Sequence, residues 1–253
     1  MSARAPRLPW RPWHAPARGA WMTLCLWLAG LAPAVAQEAV AARYEGEVTR
    51  YPHGVLGDEI EYDTLAVTLS DGRVLRRRWT APLVFEDIAP RLWDVTGDGA
   101  PEVVTVESHA DRGARLAIWE VAGDDLRPLA ATPFIGQRFR WLAPVGAADL
   151  DGDGAIEIAY VDRPHLAKTL RIWRVEEGAL RPVASAEGFS NHRIGWDYIV
   201  GGLRDCGEGP EIVLPSGDWT HVMVVDLTAG GGLDRYASDP YSPEMLTVVM
   251  DCR

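Results

Sequence analysis

Two stretches of this 253-residue chain set carboxylates at alternate positions of a glycine-bearing loop. They are Asp94-Val-Thr-Gly-Asp-Gly-Ala-Pro-Glu102 and Asp149-Leu-Asp-Gly-Asp-Gly-Ala-Ile-Glu157, and they agree at the first aspartate, the Gly-Asp-Gly-Ala core and the final glutamate. Alternate residues in a tight loop can aim side-chain oxygens at one centre, and glycine permits the sharp turn. Calcium takes about six to eight such hard oxygen ligands, so calcium is the expected ion. In the second loop the set is Asp149, Asp151, Asp153 and Glu157 with the Ala155 carbonyl. In the first it is Asp94, Thr96, Asp98 and Glu102 with the Ala100 carbonyl; a threonine replaces one aspartate, which predicts weaker binding there. The alternative is that both loops are Asx-type turns held by hydrogen bonds alone. An EF-hand is excluded, because the twelfth position of the second loop is Tyr160 and helical flanks are absent.

Histidine shows a second regularity. His53, His109, His165 and His221 follow one another at one constant interval along the chain. Imidazole is a common neutral ligand for transition metals, so four in register could ring one ion of iron, copper, zinc or nickel. The bland alternative is a turn residue copied by duplication. Nucleophile-elbow, P-loop, CxxC and HExxH patterns are absent, so an enzyme is the less favoured class.

The elements that must carry these residues repeat as well. LAIWEVAGDDLRPLAATPF, from Leu116 to Phe134, returns as LRIWRVEEGALRPVASAEGF from Leu170 to Phe189, with Trp119 answered by Trp173. Short apolar runs separated by turn residues predict a four-stranded antiparallel meander per unit. One unit reads Phe139 to Ala148, Glu157 to Val161, Thr169 to Val175 and Leu180 to Ala184. The unit before it reads Ile88 to Trp93, Glu102 to Val106, Arg115 to Val121 and Leu126 to Ala130. A weaker unit follows at Trp196 to Gly201, Glu211 to Leu214, His221 to Leu227 and Leu233 to Tyr236. At the front, Glu45 to Tyr51, Thr64 to Leu69 and Arg73 to Trp79 lack a first strand, whereas Met245 to Met250 is a surplus one. The expected fold is therefore all-β: a four-bladed β-propeller of four-stranded sheets, its ring closed by the C-terminal strand. An open sandwich or solenoid is the alternative.

The Asp/Gly loops, each followed by an apolar strand (Ile158-Ala-Tyr-Val161 and Val103-Val-Thr-Val106), resemble the FG-GAP or VCBS repeat of integrin α-subunits and many bacterial exported proteins. The resemblance covers at least Val84 to Asp226. It implies calcium in the loops and, on the opposite face, the connections between second and third strands, where the histidines fall. Arg138 and Arg193 would lie beside them in the connections between blades, and arginine forks suit an anionic ligand. In the last unit, aligned on Glu211, the first and fifth ligand positions become Leu203 and Gly207, so that loop is expected to have lost its metal.

Composition bounds the context. Residues 1–36 hold Arg4, Arg7, Arg11 and Arg18 and no acid, then an apolar run from Ala20 to Pro33 and the small-residue site Ala34-Val-Ala36. This reads as a secretory signal peptide, the run being shorter than the roughly 20 residues that span a bilayer. The expected mature chain, one domain over 37–253, is periplasmic or extracellular, with no transmembrane segment. The whole chain has 36 acids against 25 bases, and loss of those four arginines widens the excess. That balance disfavours nucleic acid as a partner and leaves an unknown protein or an anionic ligand. Cys206 and Cys252 are the only cysteines of the mature chain, and an even pair in an exported chain suggests one disulfide.

Overall fold

The structure is a computed structural model that describes residues 37–253. The proposed signal peptide lies outside the described residues. Sixteen strands and one helix are described, and the strands pair throughout as antiparallel neighbours. The front unit is β1 (Ala39–Val48), β2 (Glu61–Leu69) and β3 (Val74–Arg78), paired in that order. The second unit is β5 (Arg91–Trp93), β6 (Glu102–His109), β7 (Gly113–Ala122) and β8 (Asp125–Ala131). A short strand that the sequence did not reveal, β4 (Leu83–Phe85), pairs with both β2 and β6 and so joins the two units into one eight-stranded sheet. The third unit, β9 (Leu142–Ala148), β10 (Glu157–Asp162), β11 (Thr169–Glu176) and β12 (Ala179–Glu187), is a separate four-stranded meander. The fourth is β13 (Gly202–Asp205), β14 (Pro210–Pro215), β15 (His221–Leu227) and β16 (Leu233–Pro240).

Why these strands read as continuous apolar runs follows from where their faces go. Successive side chains of a strand point to opposite faces, and here both faces are buried. Val103 enters a core with Leu65 and Val67 of the front unit and Phe85 of β4, while Val104 and Val106 enter another with Trp141, Leu142 and Ile158 of the third. Ile158 and Tyr160 face back toward the second unit, and Ala159 and Val161 face forward to Ile212 and Leu214 of the fourth. The duplication also preserves local irregularity. The register of β7 with β8 shifts at Trp119, opposite Pro128, and that of β11 with β12 shifts at Trp173, opposite Pro182. Proline cannot donate to a ladder and is tolerated at such bulges.

The ring does not close as expected. The predicted strand Met245 to Met250 is instead the helix α1 (Pro243–Met250). Ser242 caps it, its hydroxyl accepting from the Met245 N–H at 3.0 Å, and Pro243 and Glu244 occupy the first turn. All three are favourable helix-start residues. Leu246 and Val249 then pack on Val213, Val222 and Val224, the face of the fourth unit left uncovered by any sheet. The first strand of that unit also starts later than expected, at Gly202 in place of Trp196, and Leu203 lies within β13. α1 is tied down by a disulfide between Cys206, after β13, and Cys252. Among the described residues no helix is long and apolar enough to cross a membrane.

Candidate functional site

The two Asp/Gly loops occupy equivalent places, between β5 and β6 and between β9 and β10. In the second, Asp149 holds the turn from inside: Oδ1 accepts from the Gly152 N–H at 2.8 Å and Oδ2 from Gly154 at 3.0 Å. Asp151 and Asp153 join it so that one carboxylate oxygen from each lies within 4.8 Å of the others, a group able to hold a cation. Glu157 is fully buried, and its Oε2 accepts from the Leu150 N–H at 2.8 Å. The first loop is built alike. Asp94 accepts from Gly97 at 2.7 Å and Gly99 at 2.8 Å, and Glu102 accepts from Val95 at 2.9 Å. Burial pushes the carboxyl pKa of both glutamates up, against the pull of those backbone donors.

One residue absent from the expected ligand set changes the chemistry. Arg174, opposite Glu157 in the β10–β11 ladder, reaches across the second loop. Its Nε donates to Glu157 Oε1, its Nη1 to Asp153 at 2.8 Å and its Nη2 to Asp151 at 3.3 Å. Part of the loop's negative charge thus already has a counter-ion. The convergent aspartates fit a hard divalent ion, but Glu157 is engaged by Leu150 and Arg174 and is not free to join them. In the first loop the equivalent position, next after Trp119, is Glu120. The repeat therefore adds an acid beside one loop and a guanidinium beside the other.

The sequence model described as an FG-GAP-like repeat matches residues 94–160, from the first acid of one loop to the strand after the second. This segment is similar to FG-GAP-like repeats. No curated protein sequence matches the chain.

At the far end of these strands lie the four histidines: His53 and His165 in connections between paired strands, His109 as the last residue of β6 and His221 as the first of β15. They do not gather on one ion. Among the described residues the group able to hold a metal is the aspartate one, and each imidazole has partners of its own. His109 accepts from the Asp111 N–H at 3.1 Å and meets Phe134 edge-on. His221 is exposed and pairs with the Thr220 hydroxyl at 2.9 Å. His53 bonds through Nδ1 to Glu86, a fully buried carboxylate whose other oxygen accepts from Ser108. His165 bonds through Nε2 to His192 Nδ1 at 3.0 Å. Equal spacing fixed which end of each sheet a histidine occupies, but not how far it reaches toward its neighbours.

Two of the four do share a cavity, of about 240 Å³, lined by His53 and His165 together with Phe139, Trp141, Arg140 and Arg163. Arg138 and Arg193 stand outside this lining. The Arg138 guanidinium lies 4.4 Å from the centre of the Phe139 ring, and that of Arg193 lies 4.3 Å from Trp219. Trp141 packs in the core, its indole N–H donating to the Glu86 carbonyl at 2.8 Å. Glu86, Arg140, Arg163 and Arg174 went unread in the sequence. Only Arg174 had a visible signal, its alignment against Glu120 beside the repeated tryptophans.

Proposed function

We propose that the protein is an exported binding module, a propeller-like array of four blades whose Asp/Gly loops are stabilised by calcium. The support is the pairing of an FG-GAP-like repeat with the convergent Asp149, Asp151 and Asp153 carboxylates. Calcium would bridge the turn before β10, and by the same logic the turn before β6, fixing one end of adjacent blades. The opposite end, formed by the histidine-bearing connections, then serves as the rigid surface for a ligand or protein partner. Surface loops on a fixed scaffold are where binding residues concentrate.

Calcium titration followed by thermal melting tests the stabilisation. The melting temperature should climb with calcium in excess of chelator, because a ligand that binds only the folded state stabilises it by mass action. A flat response would refute calcium at both loops. Export predicts a mature N-terminus at Gln37 in protein recovered from the periplasm or medium; full-length protein retained in the cytoplasm would refute that part. A metalloenzyme built on a four-histidine ring is not the favoured reading, since the imidazoles are engaged separately.

A further inference from the structure

We propose that the cavity between His53 and His165 binds a small organic anion that carries an apolar or aromatic body and a hydroxyl or N–H donor. This rests on the reading of the protein as a binding module, and it assigns the ligand class and the residues.

Charge complementarity comes first. The chain carries a formal charge of −11, yet the cavity lining contains two arginines, two histidines and no carboxylate. Arg163 spends Nε and Nη2 on Asp162, at 2.8 and 2.9 Å, which leaves Nη1. Arg140 spends Nη1 on the Phe139 carbonyl at 2.8 Å, which leaves Nε and Nη2. These remaining donors suit a carboxylate or another acidic group.

The histidines define the second contact by a chain of forced assignments. The Trp196 carbonyl can only accept, so His192 Nε2, 2.8 Å away, carries the hydrogen. Burial lowers the pKa of His192 and keeps the ring neutral, so its Nδ1 is an acceptor. His165 Nε2 must then donate to it, and His165 Nδ1 is left bare. Burial pulls the pKa of His165 down to about 4, so this nitrogen stays an acceptor at neutral pH. Across the cavity, Glu86 anchors His53 by Nδ1 and leaves Nε2 without a protein partner among the described residues. A carboxylate–histidine pair with one free nitrogen fixes ring orientation.

The walls complete the pocket. Phe139 stacks on His53 with ring centres 5.1 Å apart, Trp141 forms another side, and Ile194 stands 71% exposed at the mouth. Phe139 and Arg163 hold φ of 56° and 48° without being glycine. That region is sparsely used by side-chain-bearing residues and concentrates at ligand sites. The Phe139 conformation is held by its N–H, which donates to the Tyr51 hydroxyl at 2.8 Å. A cavity of about 240 Å³ lies just below the usual range for ligand pockets and suits a molecule of roughly ten non-hydrogen atoms.

The test titrates the chain from Gln37 onward, in calcium, with 4-hydroxyphenylacetate by calorimetry. Two comparators isolate the contacts: 4-hydroxyphenylethanol lacks the charge, and phenylacetate lacks the phenolic donor. Saturable one-to-one binding is expected, weakened about tenfold or more by loss of the charge and in Arg140→Gln. In His165→Phe, 4-hydroxyphenylacetate and phenylacetate should bind alike. No saturable binding of any of the three up to about 10 mM, tenfold above a weak millimolar affinity, overturns the proposal, as does binding indifferent to Arg140→Gln. The calcium-induced rise in melting temperature is recorded on the same samples. Its loss would count against the calcium-stabilised module, whereas its retention without probe binding counts against the pocket alone.

Discussion

Replacing Arg174 by glutamine should make the protein less stable without calcium and more responsive to it. The guanidinium is the only cation seen bonded to Asp151, Asp153 and Glu157 among the described residues, and its side chain is 17% exposed. Asp153 is 43% exposed, so its share is small. Glu157 and Asp151 are buried partners, and hydrogen bonds to charged groups contribute about 1.5–3 kcal/mol each. Allowing for non-additivity gives a loss of about 3 kcal/mol in chelator, or about 6–12 °C for a domain of this size. With calcium the ion replaces the missing charge. A unit charge about 4 Å from another costs about 4 kcal/mol at an effective dielectric of 20 before screening, so removing the guanidinium should tighten calcium about ten- to hundredfold. Calorimetric melting in chelator and in calcium, with direct titration of the ion, reads both effects. An equal fall in melting temperature under the two conditions would refute the competition, leaving Arg174 as a purely structural strut. The reciprocal change, Glu120→Arg, should raise the melting point in chelator and shrink the calcium response of the first loop.

Two further outcomes follow from buried charge and from the covalent cross-link. Burial, with Glu86, Asp58 and Asp87 adding to it, pushes the Glu61 carboxyl up to about 10; the unfolded chain would ionise it near pH 4.3, so its contribution is intact below that pH and is lost progressively as pH rises toward 10. Glu61→Gln should therefore gain most over wild type at pH 9 and least at pH 5 in urea unfolding, and a pH-independent difference would contradict the assignment. The disulfide spans 46 residues, for which chain entropy gives about 4 kcal/mol; reduction, or Cys252→Ser, should lower the urea midpoint accordingly, and an unchanged midpoint would show that α1 holds the fourth unit by packing alone.

The two central units were legible because each signal in them is local. Asp/Gly loops, strand-length apolar runs and the repeated tryptophans all fall within one duplicated segment, and the strands over Glu102–His109 and Glu157–Asp162 lie where the runs put them. The C-terminal element departs from the expected strand for a definable reason. Met245-Leu-Thr-Val-Val-Met250 is apolar and partly β-branched, and so short a pattern cannot tell strand from helix. Ser242-Pro243-Glu244 held the missing information as a helix start. A helix covers the open sheet face of Val213, Val222 and Val224, so no closing strand is needed to bury it.

The histidines show where periodicity stops carrying information. A constant interval is a statement about position along the chain, and duplication preserves it as long as each unit keeps its strand lengths. Convergence on an ion is a statement about radial distance, set by neighbours remote in sequence: Glu86 for His53, His192 for His165, Phe134 for His109. The Asp/Gly loops obey the same division. Their turns recur because backbone N–H groups close on the first aspartate within a few residues, at Gly152 and Gly154 and again at Gly97 and Gly99. Their charge balance diverges because it depends on one cross-strand position, arginine in one unit and glutamate in the other. A count of ligand residues ranks Asp149–Glu157 above Asp94–Glu102; inclusion of Arg174 and Glu120 narrows or reverses that order. On the proposed calcium-binding reading, the relative affinity of the two loops therefore depends on side chains outside both motifs as well as on the motifs themselves.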